Sequence, residues 1–515
     1  MENKVENMRV FSQVVAVMVK NLLMLSIGMS VGYVGIIIPA LTDPNSKESI
    51  YMDEAQTSWT SAIIPLASLI GSAFSGSITE PLGRRGSMII LTVPCVISWI
   101  SYYLAEESWQ IFATLILHGF TNGLVKAPVL IYVAEVTEPR LRGLLASTTL
   151  LSTSIGIFLA FLIGSLLHWR IAALVSCTVP LISVCLLSRL PETPYWLLAQ
   201  NKPEEARRSL AWLRGWTSEV KVEQEFQQIQ KNVQMHPAGV DNPAFEDDSG
   251  RVIPLTKFIN AARPTVKDLA KRSFLRPFSL MAFLFIWSNF IGVGTTQIYS
   301  VVIFSTFKAP VNKYYASVLM SSARVLASIL CIFIVRLYGK RRTAMVSSFA
   351  LCLCSMCIGI YAYLCDVTQL NFTSDSAPIH ENHTNHAWIS LALLIAFAFV
   401  GNCGPANLPW TLVAEVFSNE ARIMGCGLLT SFHYISSFTT NVVYLDMVSQ
   451  FSFAGVYWTF ACISIVGLLV IFFLLPETDG RNDVVDHFII RSDLSNSIKR
   501  KSVEYRNNVI SGSNI

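Results

Sequence analysis

The sequence predicts an all-α membrane protein of about twelve membrane-spanning helices, arranged as two similar halves of six helices. Of its 515 residues, 52% are hydrophobic and only 14% are charged, whereas soluble domains usually contain about a quarter charged residues. The hydrophobic residues also form blocks long enough to cross a bilayer, which takes ~20 helical residues. Short polar motifs recur in the same order after matching blocks of each half. These three observations exclude a soluble globular protein.

Each apolar block corresponds to one predicted span. The blocks lie near 18–40, 57–78, 87–105, 109–134, 143–167, 170–190, 278–307, 314–337, 343–365, 387–414, 423–447 and 453–475. A polar segment separates the first six blocks from the last six, and a polar tail follows. We therefore expect a first half over 1–190, a cytoplasmic linker over 191–276, a second half over 277–475 and a cytoplasmic tail over 476–515. Because the polar N-terminus lacks a cleavage-like site, the first span is expected to act as the signal anchor.

Basic residues indicate the orientation of these spans. They crowd into alternate loops, at Arg84, Arg85, Arg140, Arg142, Lys340, Arg341, Arg342 and Arg422. The positive-inside rule therefore predicts that both termini and the linker are cytoplasmic, and we expect a multi-pass protein of the plasma membrane. Two Asn-x-Ser/Thr sequons, at Asn371 and Asn382, share one loop on the side predicted to be outside, where glycosylation occurs.

The linker contains an amphipathic stretch, "KPEEARRSLAWLRG" (202–215). Ala206, Leu210 and Leu213 recur at helical spacing, whereas charged residues occupy most of the remaining positions. This pattern predicts a cytoplasmic amphipathic helix between the two halves.

Three motifs recur in the two halves in the same order. "EPLGRR" (80–85) follows the second span, and "RLYGKRR" (336–342) follows the second span of the other half. Glu135 precedes Arg142 by the same number of residues as Glu415 precedes Arg422. "LPET" then follows each sixth span and supplies Glu192 and Glu477. Parallel repeats of six helices, related by an axis along the membrane normal, are typical of a transporter architecture.

These motifs resemble those of the sugar porter family of the major facilitator superfamily. The resemblance rests on Gly-Arg-Arg, on Glu135 with Arg142-Gly143, on Pro-Glu-Thr-Pro and on the later Pro-Glu-Thr-x-Gly, and it covers nearly the whole membrane portion. "SWTSAIIPLASLIGS" (58–72) is most similar to the insect facilitated trehalose transporter group. The resemblance implies the major facilitator fold and transport of a sugar, trehalose or a hexose, by alternating access. It implies a small-molecule solute and the lipid bilayer as partners, with no nucleic acid, no cofactor, no resident metal and no enzymatic reaction.

The resemblance also implies a cytoplasmic gate of paired charges that locks and releases the two halves. In the first half its members are Arg84, Arg85, Glu135, Arg142 and Glu192; in the second half they are Lys340, Arg341, Glu415, Arg422 and Glu477. The alternative is that these charges merely follow the positive-inside rule. That rule explains the basic residues but not acids at matched positions in both halves, so we favour the gate.

Polar residues inside the spans predict a solute path, because lipid cannot satisfy them. The eleventh span has a polar stripe that includes Asn441 and Tyr444, the seventh is interrupted by Gly292 and Gly294, and the tenth carries several residues that predict a kink. The resemblance places the substrate site at Ser288, Asn289, Gly294, Gln297, Arg324, Trp410, His433, Tyr434 and Ser437. Trp410 matches the family's aromatic residue, whereas Ser288, Asn289, Gly294, His433, Tyr434 and Ser437 differ from the amides and the Trp that the family has there.

Two cations lie inside predicted spans, where no acid lies at comparable depth. They are Lys126 in the fourth span and Arg324 in the eighth, and each carries an insertion cost of ~2.5–3.5 kcal/mol unless it is paired or hydrated. One interpretation is that Arg324 donates to backbone carbonyls at a helix break. The other is an electropositive cavity that attracts an anionic or organic-acid solute.

Three further points concern proton coupling, a metal site in the outer loop and the function itself. Proton-coupled members of the family have an Asp in the first span, and 24–38 has none, so we expect facilitated diffusion. His380, His383 and His386 share the outer loop and are typical metal ligands, although a solvated loop explains them more simply. A sensor that binds a solute without transporting it is the rival function.

Overall fold

The computed structural model describes residues 2–44, 48–235, 272–372, 387–416 and 419–475, and every regular element in these ranges is a helix. The first half contains α1 (Glu2–Leu41), α2 (Glu54–Leu82), α3 (Arg84–Leu104), α4 (Ser108–Val136), α5 (Pro139–Leu166) and α6 (Trp169–Leu187). The linker contains α7 (Pro194–Ala199), α8 (Pro203–Leu213), a 3₁₀ turn (Glu219–Val222) and α9 (Glu223–Met235). The second half contains α10 (Arg272–Phe290), α11 (Val293–Ile298), α12 (Ser300–Thr306), α13 (Lys313–Tyr338), α14 (Lys340–Leu364), α15 (Ala387–Cys403), α16 (Leu408–Val416) and α17 (Asn419–Leu474).

The second half also makes six crossings, although its helices are interrupted. Gly292 has φ +75° and separates α10 from α11, and a turn over 404–407 separates α15 from α16. Each of these interruptions lies within one crossing. Helix α17 has 56 residues, ~84 Å at 1.5 Å per residue, which exceeds twice the ~30 Å hydrocarbon core. It breaks at Ser452, whose φ is 62°, so α17 supplies the last two crossings.

The repeated glycine motif has the same backbone conformation in both halves. Gly83 precedes α3 with φ 79° and ψ 173°, and Gly339 precedes α14 with φ 82° and ψ 161°. Residues with a side chain rarely adopt this region, so glycine is required at both turns. The repeat inferred from "EPLGRR" and "RLYGKRR" is therefore a structural repeat.

The halves meet along two helix pairs, with α2 against α17 and α5 against α13. Within the first half, α1 and α5 approach closely through small residues. A Cβ on Gly28 would lie 2.1 Å from the carbonyl oxygen of Thr153, and one on Gly156 would lie 2.1 Å from that of Leu25. Small residues at such contacts are how helices pack tightly in a bilayer, where hydrophobic attraction between helices is absent.

The linker helices form a small core of their own on one face of the bundle, which we call the linker face. Ala206, Leu210 and Leu213 are each at most 1% exposed, which confirms the predicted amphipathic helix. This helix is tied to the first half, because the Ser12 hydroxyl of α1 donates to the Leu213 carbonyl at 2.8 Å. We call the other side of the bundle the opposite face.

Candidate functional site

Five of the described side chains form an aromatic and polar cluster between the helices of the second half. Asn289 of α10 donates its amide N–H to Nδ1 of His433 at 3.0 Å and to the His433 carbonyl at 3.4 Å. The His433 ring packs edge-on against Trp410, with centroids 4.9 Å apart, and Phe285 packs edge-on against the same indole at 4.9 Å. Tyr434 completes this cluster, which we call the Trp410 cluster. It brings together four residues predicted from the sequence.

Lys126 connects the first half to this cluster. Its ammonium Nζ lies 4.2 Å from the centroid of the Trp410 ring and 4.8 Å from that of Tyr434. Cation–π contacts of this kind stabilise by ~0.5–2 kcal/mol, more when desolvated. Because Lys126 lies on α4 and both rings lie in the second half, the contact crosses the interface between halves.

A buried hydrogen-bond network joins the halves nearer the opposite face. The Tyr299 hydroxyl donates to the Ser61 hydroxyl at 3.0 Å, and the Asn441 amide donates to the Ser61 carbonyl at 3.0 Å. Thr295 donates to the Asn441 side-chain oxygen at 2.8 Å, and Tyr299 stacks on Tyr444 with centroids 5.0 Å apart. We call this set the Tyr299 network. Its residues are at most 3% exposed, so the network seals the contact between α2 and the second half.

The other predicted contact residues have separate surroundings. Gln297 is 3% exposed and donates to the Ser321 hydroxyl at 3.0 Å, whereas the Ser288 hydroxyl donates within its own helix, to the Phe285 carbonyl. Gly294 is exposed, and a Cβ placed on it would meet no atom within 4 Å. Ser437 is half-buried and adjoins the Trp410 cluster in sequence.

Arg324 lies at least about three helical turns from both ends of α13. Its Nε is buried and has no hydrogen-bond partner among the described residues. The interpretation that it donates to carbonyls at a helix break is wrong for the described residues, since α13 is continuous and no such bond forms.

The first-half gate residues contact one another at the linker face. Arg84 Nη2 pairs with Glu135 Oε1 at 2.7 Å, and the two side chains are 10% and 9% exposed. The Glu192 carboxylate accepts the backbone N–H groups of Arg84, Arg85 and Gly86 at 3.0–3.3 Å, so it caps α3 and compensates the positive end of the helix.

The remaining gate residues bond mainly to backbone carbonyls. Arg85 donates to the carbonyls of Leu187 and Ser188. Arg142 donates to that of Thr137 at 3.5 Å, and Arg341 donates to that of Phe472. These contacts of the first-half residues and of Arg341 each lie within one half of the protein. The side chains of Glu415 and Arg422 and the whole of Glu477 lie outside the described residues.

The outer loop is described only in part. The backbone N–H of Asn371 donates to the Thr306 hydroxyl at 3.0 Å, which places the first sequon next to α12 at the opposite face. Asn382, His380, His383 and His386 lie outside the described residues.

Sequence reasoning missed a third cation inside the bundle. Lys20 of α1 is 0% exposed and donates to the Thr149 hydroxyl of α5 at 2.7 Å. Its position near the start of the apolar block 18–40 was the available signal.

A second feature that sequence reasoning missed is the ion-pair network that holds the linker to the first half. Arg214, only 8% exposed, pairs with Glu225 at 2.6 Å and approaches Glu138 at 3.6 Å, and Arg9 also pairs with Glu138.

The site therefore combines amide, hydroxyl and imidazole groups with aromatic faces at an interface between two halves. Such groups bind polyhydroxylated solutes, because each solute hydroxyl needs a partner when it loses water. A family model described as sugar (and other) transporter matches residues 14–482 of the chain. The chain belongs to this family. The predicted resemblance is confirmed.

Curated relatives of this chain share its family and carry a common name. A facilitated trehalose transporter Tret1 of Drosophila mojavensis is 26% identical over 472 residues, which cover 92% of this chain and 50% of the relative. Those of Bombyx mori and Apis mellifera ligustica are 26% and 25% identical, over 83% and 88% of their own lengths. The chain thus spans about half the length of the Drosophila relative and most of the other two. Each of these relatives is named a transporter, in agreement with the expectation for this chain.

Solved structures agree on the fold. The xylose transporter XylE from E. coli, in a partially occluded inward-open conformation, matches with a TM-score of 0.69 at 16% identity over 91% of this chain and 99% of that one. The major facilitator superfamily proton:xylose symporter XylE bound to 6-bromo-6-deoxy-D-glucose matches with a TM-score of 0.67 at 18% identity, over 94% and 100%. The predicted major facilitator fold is confirmed.

Proposed function

We propose that this chain carries a sugar, trehalose or a hexose, across the membrane by alternating access. The observation that carries the proposal is the position of the site: a set of polar and aromatic side chains lies where two halves of one transporter-family fold meet. The names of the curated relatives support a sugar as the solute. The Trp410 cluster and Gln297 supply the amide groups and aromatic faces that a sugar requires.

The contacts between halves support movement about this site. The Tyr299 network holds the halves together near the opposite face, whereas Arg84 and Arg341 bond within their own halves at the linker face. In this conformation the opposite face is closed. Closing the linker face would require the halves to rock against each other around the central site, which is the alternating-access movement.

We further propose that the linker face is cytoplasmic and that the protein resides in the plasma membrane with both termini inside. The basic loops support this orientation. It places Asn371 and Asn382 outside, as substrates for glycosylation. A mobility shift on glycosidase treatment that is lost when both are changed to Gln supports this orientation; the absence of a shift in the wild-type protein contradicts it.

Facilitated diffusion is the transport mode that we propose. No acidic residue lies between Met24 and Ile38 in α1, so this span has no carboxylate to carry a proton. We expect uptake to be saturable and insensitive to an imposed pH gradient.

The test is uptake into oocytes that express the chain, with labelled trehalose, glucose and a panel of organic acids at two pH values. Saturable, pH-independent uptake of a sugar is the expected result. Uptake that follows an inward proton gradient contradicts facilitated diffusion. No uptake of any solute despite surface expression contradicts transport and favours the sensor.

A further inference from the structure

Arg324 lies on the face of α13 that is turned toward the interface between halves. Ser321 and Ser328 flank it at i−3 and i+4 and therefore share its face. Ser321 accepts the hydrogen bond from Gln297, and Ser328 bonds to Ser154 of the first half at 3.1 Å. The guanidinium therefore lies between a predicted substrate contact and a contact of the two halves.

This guanidinium has no counter-charge in the part of the chain that the structure describes. Its Nε is buried without a hydrogen-bond partner, and it forms no ion pair with a described residue. Acids in the described spans lie within about two turns of a helix end or of the break at Ser452. Arg324 thus presents donors that no described protein group uses.

Lys126 adds a second positive charge at the same interface from the other half. Its ammonium lies over the faces of Trp410 and Tyr434 and forms no ion pair with a described residue. Aromatic faces leave the charge of an ammonium group intact, so both cations raise the electrostatic potential of the interface. A neutral solute gains little from that potential, whereas an anionic solute is stabilised by it.

We propose that the solute this transporter prefers among sugars carries a carboxylate, as a sugar acid or a similar polyhydroxylated carboxylate does, and that Arg324 binds that carboxylate. The Nε–H and one Nη–H of a guanidinium form a planar fork that matches the two carboxylate oxygens. Lys126 attracts the anion, and the hydroxyl groups of the solute bond to groups such as Asn289 and Gln297. The inference rests on the proposed transport function and specifies the chemical class of its solute.

A matched pair of solutes tests the proposal. D-glucuronate and D-glucose have the same ring and differ by a carboxylate in place of a hydroxymethyl group. We would measure uptake of each by purified full-length protein in liposomes, with the membrane potential clamped at zero so that the charge of glucuronate adds no driving force. The wild-type protein is expected to take up glucuronate with the higher kcat/KM.

Variants assign the selectivity to Arg324. Arg324→Gln should lower kcat/KM for glucuronate about tenfold or more, the usual effect of losing a hydrogen bond to a charged group, and should lower kcat/KM for glucose by a much smaller factor, so that the ratio of the two falls. Arg324→Lys keeps the charge without the fork and should fall between. Lys221→Gln removes one positive charge from the exposed 3₁₀ turn of the linker and should change neither solute. If Arg324→Gln does not fold, the wild-type selectivity alone decides.

The outcomes separate this proposal from the proposed function. Saturable uptake of glucose without glucuronate overturns the acid proposal and leaves sugar transport standing, as does an equal effect of Arg324→Gln on both solutes. If glucuronate raises the Tm of the protein in nanodiscs without being transported, the binding site is supported and transport of the acid is overturned. If glucuronate is not transported and does not raise the Tm, the acid proposal is overturned. If glucose and trehalose are not carried either, sugar transport is overturned as well.

Discussion

Tyr299→Phe should open the contact between halves at the opposite face without disturbing the packing around it. The substitution removes the hydroxyl that donates to Ser61 at 3.0 Å and keeps the ring that stacks on Tyr444. The Ser61 hydroxyl keeps its own acceptor, the Ser58 carbonyl at 2.8 Å, so no polar group is left without a partner. The loss is therefore that of one ordinary hydrogen bond, ~1 kcal/mol, which shifts the ratio of closed to open protein about fivefold.

Distances between spin labels measure this ratio directly. Glu54 at the start of α2 and Asp446 on α17 are both exposed and lie on opposite sides of the contact. Labels would be attached to cysteines at these positions in a protein whose eleven native cysteines have been replaced. Double electron–electron resonance then gives the fractions of short and long distances, and the long-distance fraction should increase in Tyr299→Phe.

Tyr457→Phe is the matched control. Tyr457 is also fully buried and hydrogen-bonds the Thr296 hydroxyl at 3.1 Å, but both residues belong to the second half. It should lower the free energy of unfolding without changing the distance distribution. An unchanged distribution in Tyr299→Phe, or an equal change in Tyr457→Phe, would refute the assignment of the Tyr299 network as a contact that opens and closes.

Two further predictions concern stability, measured as Tm in nanodiscs. Arg84→Ala leaves the buried Glu135 carboxylate without its cation and should cost about 3 kcal/mol, and a double variant that also changes Glu135 to Leu should recover part of this loss. Gly83→Ala should cost ~1–3 kcal/mol, because φ 79° with ψ 173° is a region that only glycine adopts easily and the new Cβ would lie 2.5 Å from Glu192 Oε2. Gly143→Ala, where a Cβ meets nothing within 4 Å, is the control. A loss in Gly143→Ala equal to that in Gly83→Ala, or an unchanged Tm in Arg84→Ala, would contradict these explanations.

The spans and their interruptions could be predicted from the sequence because they depend on local properties. The length of an apolar block sets the number of crossings, and Gly292 marks a break because its positive φ and the nearby Phe460 ring exclude a side chain. The clustering of Trp410, His433 and Asn289 could also be predicted, because the resemblance places all three at positions that line the substrate site in the sugar porter family.

The pairing of polar groups could not be predicted, because it depends on which helix faces meet. The acid of the first "LPET" motif seemed to belong to a set of ion pairs, yet Glu192 caps α3 through backbone amides, which no spacing in the sequence reveals. Asn441 belonged to a polar stripe that suggested a solute path, whereas its amide donates to Ser61 across the two halves. Lys20 was missed because a lysine near the start of an apolar block usually extends its ammonium to the surface, whereas Lys20 is buried and donates to Thr149 of α5.

The most direct test of alternating access is to prevent the opposite face from opening and measure transport. Trp59 of α2 and Phe438 of α17 contact each other across the halves, with centroids 5.8 Å apart. Cysteines at both positions would be joined by a short reducible crosslinker, with Tyr363 and Trp458, 5.9 Å apart within the second half, as the control pair. We predict that the first crosslink abolishes uptake of labelled glucose and glucuronate, that reduction restores it, and that the control crosslink leaves it unchanged. Uptake that continues with the first pair fully crosslinked would contradict transport by alternating access.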